Sequence, residues 1–245
     1  MKTWASLAGK HRGFYLLTRD ITMKNVLPES YPDSFLQIDK ADIYLSRGSF
    51  MKRLALALIL LALLAFNAYA ADTPAKESMR TKAGLYVDAI ETHQMITDPQ
   101  GREVILIDVR DPIEIKFTGY TVMTDIHVPW KIIDSDKWDE KKQSYGGHLN
   151  GSFADEVKAR LDSLAVSKDA HLIFMCRSGS TRSAPAADIF YVLGYHNVYS
   201  MVDGFEGAKA KSGAHKGARA VDGWKNANLP WGWKLEKDVM YGVKF

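Results

Sequence analysis

The sequence contains a single cysteine, Cys176, and the residues that follow it suit thiolate chemistry. The next six positions carry two arginines, three hydroxyl groups and a glycine: Arg177, Ser178, Gly179, Ser180, Thr181 and Arg182. The thiolate is the nucleophilic form of cysteine, and nearby cations can lower a thiol pKa from about 8.5 to between roughly 3.5 and 7.5. Hydrogen bonds to the charged sulfur act in the same direction. We therefore predict that Cys176 is a reactive nucleophile and that residues 177–182 bind an anion.

The segments on either side of this loop predict a strand before it and a helix after it. His171–Met175 is a short apolar run typical of a buried strand. A helix is expected from Arg182, with Pro185 in its first turn and Gly194 at its end. A loop between a strand and a helix directs its N–H groups into one cavity, with the positive end of the helix dipole behind them. The order of elements therefore predicts an anion cradle that begins at Cys176.

The alternative is that Cys176 is a small apolar residue at the end of a strand, since free cysteines are among the most buried residues. We favour the reactive thiolate because of the residues in the loop. Asp108 and Arg110 lie at the end of another predicted strand, and we expect Asp108 to orient Arg110 or the loop rather than to transfer protons. The seven histidines show no paired spacing, so we predict no metal site and no cofactor.

The composition describes an ordinary globular chain of 245 residues, 47% hydrophobic and 25% charged. Its net charge of +3 arises mainly in the first 70 residues, which hold 9 Lys and Arg against 5 Asp and Glu. The remaining 175 residues hold 23 and 24, which leaves them nearly neutral. Nothing in this distribution indicates nucleic-acid binding.

A secretory signal peptide is predicted at Met51–Ala70. Met51-Lys52-Arg53 is followed by an apolar run of 13 residues, 54–66, and by an Ala-x-Ala ending at Ala70. The run is shorter than the roughly 20 residues that span a bilayer, so we expect no stable membrane span after cleavage. The alternatives are a buried core helix and an uncleaved anchor. The pattern predicts a periplasmic or secreted protein, in which a lone cysteine has no internal partner and deserves notice as a reactive thiol.

Fifty residues precede this pattern, and they show no sustained periodicity. We expect residues 1–50 to be a non-native or disordered upstream extension, with Met51 as the true start. A cytoplasmic extension ahead of a signal anchor is the alternative. Residues 71–82 are predicted to be a linker, 83–233 the folded domain and 234–245 a tail that docks loosely or frays.

Short apolar strands alternate with helical segments through the predicted domain. This alternation predicts an α/β fold with a parallel sheet of about five strands and helices on both faces. Ligands of such sheets bind beyond the carboxyl ends of the strands, where Cys176 is expected. Residues 134–147 are interpreted as a polar surface excursion, and 209–219 as a surface loop. Trp224, Trp231 and Trp233 are either a packing clasp or a wall near the mouth of the site.

Several segments in order resemble the rhodanese-like sulfurtransferase family: residues 106–110 (Leu-Ile-Asp-Val-Arg), Asp111 with Glu114, 127–129, 194–198, 203–207, and 223–231. The resemblance covers about residues 83–233 and includes the loop at Cys176. It implies a rhodanese-like fold and a thiosulfate sulfurtransferase that forms a persulfide on Cys176. The implied partners are a small anionic sulfur donor and a thiol or cyanide acceptor, with a periplasmic protein as a possible acceptor in the cell.

The loop departs from this family in one respect, because Arg182 lies six positions after Cys176 rather than five. The resulting Cys-x5-Arg spacing is seen in cysteine-dependent phosphatases, including those that resemble rhodaneses in fold. A phosphatase or arsenate reductase is therefore the enzymatic alternative. Against it, Met175 replaces the usual histidine, and the loop supplies neither a carboxylate general acid nor a second cysteine. A third reading is a persulfide carrier without rapid turnover.

Overall fold

The computed structural model describes Leu54 and residues 71–243. The chain divides into two units, Met1–Asn67 and Ala68–Phe245, and the elements below belong to the second. The predicted extension at 1–50 and the predicted signal peptide at 51–70 lie outside the described residues, apart from Leu54. In the part of the chain that is described, no helix combines the length and apolar character needed to cross a bilayer.

A parallel sheet of five strands forms the centre of the described domain. Its strands are β1 (Leu85–Val87), β2 (Val104–Asp108), β3 (Ile126–His127), β6 (His171–Met175) and β7 (Val198–Met201). They are hydrogen-bonded in the order β1-β7-β6-β2-β3, and all neighbouring pairs are parallel. The prediction of an α/β fold with about five parallel strands is confirmed.

Two of the four α-helices within residues 71–243 begin at side-chain caps. The four are α1 (Ala89–Thr97), α2 (Pro112–Thr118), α3 (Phe153–Ser163) and α4 (Ser183–Val192), preceded by a short 3-10 turn at Glu77–Met79. Asp88 and Asp111 each form a capping box with the glutamate three residues later, Glu91 and Glu114. These caps fix the points at which α1 and α2 leave the sheet.

The two faces of the sheet bury separate apolar clusters, as expected for a parallel sheet that is covered on both sides. Alternate residues of β2 point to opposite faces: Ile107 joins Phe153, Val157 and Phe190 of α3 and α4 on one face. Leu106 lies on the other face with a cluster from α1, β6, β7 and the C-terminal segment: Ala89, Met95, Ile173, Met201 and Trp224. The helices cover the two faces of the sheet but not its carboxyl edge, and the loop at Cys176 lies at that edge.

Residues 131–149 form a second, two-stranded antiparallel sheet that the sequence analysis did not predict. Its strands are β4 (Lys131–Asp139) and β5 (Ser144–Leu149). The excursion at 134–147 is thus a regular ribbon, held by the edge-to-face pair of Trp138 and Tyr145. Gly147 lies opposite Ile133 in the ribbon, and a Cβ there would come within 2.2 Å of the Ile132 carbonyl.

The C-terminal segment is exposed from Lys234 to Asp238, and the residues that follow, 239–241, pack on the domain. Met240 is only 6% exposed and joins Ile115 and Tyr120 in a small cluster. His127 N donates to the carbonyl of Val239 at 3.2 Å, and Tyr241 N donates to the His127 ring. This segment therefore covers the edge of the sheet at β3.

Candidate active site

Cys176 lies directly after β6, at the carboxyl edge of the sheet and at the start of the loop that leads into α4. The residue is 1% exposed, and one side of it contacts the apolar cluster beneath α3 and α4. Its other side faces the N–H groups of Ser178 and Ser183 and the Ser183 hydroxyl. That hydroxyl is buried and makes no hydrogen bond within the described residues, so it remains free to donate to an anion at this position. The sulfur is therefore buried in a polar ring rather than enclosed in hydrocarbon.

The surroundings of Cys176 favour its charged form. Burial acts to raise the pKa of the thiol, because the anion loses contact with water. The positive charge of Arg182 and the nearby donor groups of Ser183 and Ser178 outweigh this effect, so the pKa lies below the ordinary value of a thiol. Of the loop residues singled out in the sequence, Arg182 and Ser178 act on the thiol, whereas Arg177, Ser180 and Thr181 are not among the groups that lower its pKa. Ser183 is a contributor that the sequence analysis missed.

Two glycines shape the loop through positive φ angles and close backbone contacts. Gly179 has a φ of +64°, and a Cβ there would lie 1.9 Å from the Val202 carbonyl. Gly204 has a φ of +65°, and a Cβ there would lie 2.5 Å from the Cys176 carbonyl. Such backbone conformations are available to glycine at little cost and strain other residues. The turn after β7 can therefore press directly against the loop.

Hydrogen bonds fasten the loop to this turn. Phe205 N donates to the Cys176 carbonyl at 2.9 Å, and Glu206 N donates to the Arg177 carbonyl at 2.8 Å. By contrast, the N–H groups of residues 179–182 donate to no protein acceptor in the described chain. Ser178 Oγ and Ser180 Oγ lie 3.1 Å apart. The loop is thus held from behind, while a row of its amide donors is left for an anion.

Arg182 forms an ion pair with Glu114, at the start of α2. Both terminal nitrogens of its guanidinium contact the carboxylate, with Nη2 2.9 Å from Oε1. Burial acts to raise the pKa of Glu114, but the charge and hydrogen bonds of Arg182 and the hydrogen bond from Asp111 N exceed this effect. The pKa of this carboxylate therefore lies below its ordinary value. The pair fixes the guanidinium beside Cys176 in the two-pronged geometry that arginine and carboxylate favour.

Arg177, the other loop arginine, points to a different carboxylate. Its Nε donates to Glu206 Oε2 at 2.5 Å, and Lys225 Nζ lies 3.8 Å from the other oxygen of that group. Lys225 also lies over the Trp231 ring, with Nζ 4.2 Å from the ring centroid. Both arginines that the sequence analysis assigned to anion binding are therefore already paired with glutamates that it did not predict as partners.

Asp108 and Arg110 form a fully buried ion pair behind the loop. Arg110 Nη2 donates to Asp108 Oδ2 at 2.6 Å, and Arg110 Nε contacts both carboxylate oxygens. Arg110 Nη1 donates to Thr118 Oγ1 and to the Gly119 carbonyl, and its guanidinium lies 3.9 Å from the centre of the Phe205 ring. The pair thus connects β2 to the end of α2 and to the turn that fastens the loop.

His127 lies beneath the same edge of the sheet and is 1% exposed. Its Nδ1 accepts a hydrogen bond from Tyr241 N at 3.2 Å, so the proton of the neutral ring is on Nε2, which donates to the Arg110 carbonyl at 2.9 Å. Burial lowers the pKa of His127, and this effect exceeds that of the negative charge of Asp108, which acts to raise it. These contacts assign His127 a packing role.

The sequence left two interpretations of the three C-terminal tryptophans, a packing clasp and a wall near the mouth of the site, and the three residues differ in which they fit. Trp224 is fully buried against the sheet and serves as a clasp. Trp231 and Trp233 are partly exposed, and their rings meet edge to face. Trp231 also contacts Phe205 and, through Lys225, borders the pair of Arg177 and Glu206. These two rings therefore lie beside the loop.

The described residues contain no group of three or more His, Cys, Asp or Glu side chains placed to hold a metal ion. The functional contacts that sequence reasoning missed are mostly long-range. Glu114 pairs with a residue 68 positions away, and Glu206 with one 29 positions away. The only local signal was the position of Glu114 in a capping box, which indicates a helix start but no partner.

Known proteins resemble this chain mainly across the described domain. Residues 88–211 match the family model of the Rhodanese-like domain. The uncharacterized protein RP600 of Rickettsia prowazekii is 36% identical over 83 residues, which cover 34% of this chain and 56% of that protein. The uncharacterized protein RC0915 of Rickettsia conorii is 42% identical over 62 residues, or 25% of this chain and 42% of that protein.

The chain thus spans about half the length of these curated relatives. Among solved structures, the crystal structure of Rv0390 from M. tuberculosis shares 27% identity, with a TM-score of 0.45, over 60% of this chain and 96% of that one. The family model covers half of the chain, including β2, the Cys176 loop and the turn behind it. On that match, the chain is a member of the rhodanese-like domain family.

Proposed function

We propose that this protein is a sulfurtransferase that moves sulfane sulfur from a small anionic donor, such as thiosulfate, to a thiophilic acceptor. The observation that carries the proposal is the environment of Cys176, whose sulfur faces amide N–H groups, the Ser183 hydroxyl and the Arg182 guanidinium. These groups stabilise a thiolate and, equally, a persulfide anion at the same place. Membership of the rhodanese-like family supports a cysteine-based reaction.

The first half-reaction forms the persulfide. The Cys176 thiolate attacks the outer sulfur of thiosulfate, a new S–S bond forms, and the original S–S bond breaks. Sulfite departs with the electron pair of the broken bond, and Cys176 carries a persulfide anion. The N–H groups of residues 179–182, which donate to no backbone acceptor among the described residues, bind the sulfonate oxygens of the donor and of the departing sulfite in this scheme.

The second half-reaction returns the enzyme to its thiolate form. An acceptor such as cyanide or a thiolate attacks the outer sulfur of the persulfide, and the Cys176 thiolate leaves. With cyanide the product is thiocyanate, and with a thiolate it is the persulfide of the acceptor. No net oxidation or reduction occurs, and no proton needs to pass through a protein side chain.

The location is part of the same proposal. The pattern at Met51–Ala70 supports export, which would place a periplasmic thiol or protein thiol in reach as the acceptor. A lone cysteine suits such a setting, because the persulfide has no second thiol within the chain to resolve it. Fractionation of cells that produce the full chain, followed by N-terminal sequencing of the protein, tests this part.

Mass spectrometry of the protein after thiosulfate treatment tests the chemistry. We expect one added sulfur atom on Cys176, its removal by cyanide, and no addition in Cys176→Ser. Steady-state turnover with thiosulfate and cyanide separates an enzyme from a persulfide carrier, which would load once and turn over slowly. If the intact thiol remains unmodified under saturating thiosulfate, the proposal is wrong.

A phosphatase or arsenate reductase is the second candidate, and the Cys-x5-Arg spacing is the observation that favours it. The pairing of Arg182 with Glu114 weakens this candidate, because a tetrahedral oxyanion would have to compete with a bound carboxylate for that guanidinium. Glu206 is paired with Arg177 and is therefore a poor general acid. Release of phosphate from an aryl phosphate by the wild-type protein, absent in Cys176→Ser, would favour this candidate instead.

A further inference from the structure

Arg219 places another guanidinium near the Cys176 loop, beyond the segment that matches the family model. It lies at the end of a closed surface loop, 209–219, whose two ends meet in a bridge between Lys209 and Arg219. Ala210 N donates to the Ala218 carbonyl at 2.8 Å, and Gly217 N donates to the Ala210 carbonyl at 2.9 Å. These bonds close the loop and fix the backbone at Arg219.

The side chain of Arg219 is held over the turn that fastens the Cys176 loop. Its Nη1 donates to the Gly207 carbonyl at 2.6 Å, and Gly207 N donates to the carbonyl of Arg177 at 3.2 Å. Arg219 is thus linked to the backbone of the loop through a single residue, Gly207. Burial and the like charge of Arg177 lower its pKa, whereas the charges of Glu206 and Cys176 oppose that change, as expected for a cation near the site.

Arg219 differs from the two loop arginines because it has no ion-pair partner among the described residues. Arg177 and Arg182 are paired with Glu206 and Glu114. Within residues 71–243, no carboxylate oxygen lies within 4.0 Å of the Arg219 guanidinium, and its Nε is buried without a hydrogen-bond partner. Since the loop arginines are largely neutralised, Arg219 supplies positive charge that remains available to an incoming anion.

We propose that Arg219 is a specificity-determining residue that attracts doubly charged sulfur donors to Cys176 and favours them over singly charged ones. This inference rests on the proposed function, since it names the class of donor for that site. Arg219 acts on the approach and binding of the donor, whereas Arg182 and the loop amides act on the sulfur itself. Its loss should therefore raise KM and leave kcat nearly unchanged.

Two donors of nearly the same shape test the charge preference. Methanethiosulfonate carries a methyl group in place of one oxygen of thiosulfate, so it has one negative charge instead of two. Coulomb energy scales with charge, so the loss of Arg219 costs a doubly charged donor about twice the binding energy that it costs a singly charged one. The fold increase in KM for thiosulfate should therefore be about the square of that for methanethiosulfonate. We expect Arg219→Gln to raise the KM for thiosulfate about tenfold and that for methanethiosulfonate about threefold, at low ionic strength.

Matched variants separate charge from structure. Arg219→Lys should restore most of the preference, because it keeps the positive charge. Lys216→Gln removes the same charge from an exposed position of the same loop and should leave both KM values unchanged. Equal KM increases for the two donors in Arg219→Gln, or an equal effect of Lys216→Gln, would overturn the inference.

A readout that needs no sulfur transfer keeps this inference distinct from the proposed function. Iodoacetate is an anion and iodoacetamide is neutral, and both alkylate Cys176 by the same displacement of iodide. We expect Arg219→Gln to lower the ratio of their rates about threefold relative to wild type, as for a singly charged donor. If thiosulfate never loads the wild type but this ratio falls, only the proposed function fails. An unchanged ratio refutes the role of Arg219.

Discussion

Arg182 and Glu114, 68 residues apart in the sequence, form a two-pronged ion pair that holds the guanidinium beside the Cys176 sulfur. The glutamate that caps α2 thereby also positions the cation that most favours the thiolate. A single carboxylate connects the start of one helix to the start of another across the carboxyl edge of the sheet. The charge state of Cys176 therefore depends on the position of Arg182, which this pair holds.

Arg182→Gln should raise the pKa of Cys176. Burial of the thiol persists in this variant, while the largest of the opposing interactions is lost and Glu114 is left without its cation. We expect the pKa of Cys176 to rise relative to wild type, since burial is then opposed only by the donors of Ser183 and Ser178. The pH dependence of the rate of alkylation by iodoacetamide measures it directly.

Glu114→Gln provides the control of opposite sign, because it removes a negative charge near Cys176 and retains Arg182. In this variant the pKa of Cys176 should fall or stay constant. A double variant with both substitutions should lie between the two single variants. Should Arg182→Gln leave the alkylation midpoint where it is in wild type, another group must stabilise the thiolate.

Gly179→Ala should disable the loop without unfolding the domain. The added Cβ would lie 1.9 Å from the Val202 carbonyl at a φ of +64°, so the loop must shift away from the turn behind it. We expect at least a tenfold loss of kcat/KM and a destabilisation of about 1–3 kcal/mol. Sulfur-transfer kinetics and thermal unfolding of the same preparation give both values.

Gly151→Ala is the matched control, since a Cβ at Gly151 meets no atom within 4 Å and its φ is not positive. It should leave turnover and thermal stability close to those of wild type. If Gly179→Ala kept full activity, the loop would not depend on its contact with the turn after β7.

Local patterns were enough to predict the central fold and the place of the loop. Asp88 and Asp111 stand before helical segments with a glutamate three residues on, and both form the capping boxes that this spacing favours. The apolar run before Cys176 is the strand β6. These features depend on residues a few positions apart, and the sequence displays such relationships directly.

The contacts that complete the site depend on distant residues, and the sequence does not display them. Glu114 and Glu206 read only as a helix cap and a turn residue, although each pairs with an arginine of the loop. Arg219 lies in a segment rich in Lys, Gly and Ala that shows no periodicity. The ribbon of β4 and β5 was missed because its strands carry many charges and two glycines, which are typical of loops.

Asp108→Asn should destabilise the protein while leaving the pKa of Cys176 unchanged. Arg110 is fully buried and relies on Asp108 for its countercharge, so the variant would bury an unpaired cation. We expect a loss of about 3–5 kcal/mol in the free energy of unfolding, measured by urea titration. The alkylation midpoint of Cys176 should match that of wild type at temperatures where the variant is folded. A shifted midpoint with little loss of stability would instead indicate that Asp108 takes part in the chemistry.

Asp203 should make the stability of the protein depend on pH. It belongs to the turn that supports the loop, where its Oδ2 accepts hydrogen bonds from Ala89 N and Gly223 N at 3.2 and 3.1 Å. Its Oδ1 is buried and has no hydrogen-bond partner within the described residues. Burial, opposed by the N–H of Ala89 and reinforced by nearby Asp88, raises its pKa to about 7.

The sign of the effect follows from the proton count of the two states. An unfolded aspartate has a pKa of about 4, so between pH 4 and 7 the folded protein holds a proton that the unfolded chain has lost. Stability contributed by this proton is complete below pH 4 and falls as the pH rises through 7. Asp203→Asn keeps an oxygen acceptor for the two N–H groups and removes the charge. It should therefore unfold at higher urea concentration than wild type at pH 8, with a difference that shrinks steadily as the pH is lowered and is nearly absent at about pH 4.

A pKa difference of one unit corresponds to about 1.4 kcal/mol, so the gain at pH 8 should be on the order of 2–4 kcal/mol. Asp169→Asn removes a carboxylate from an exposed position and should leave the pH profile of wild type intact. If Asp203→Asn and wild type lose stability in parallel between pH 5 and 8, the carboxylate of Asp203 is already ionised in the folded protein. In that case the buried oxygen must be compensated by solvent.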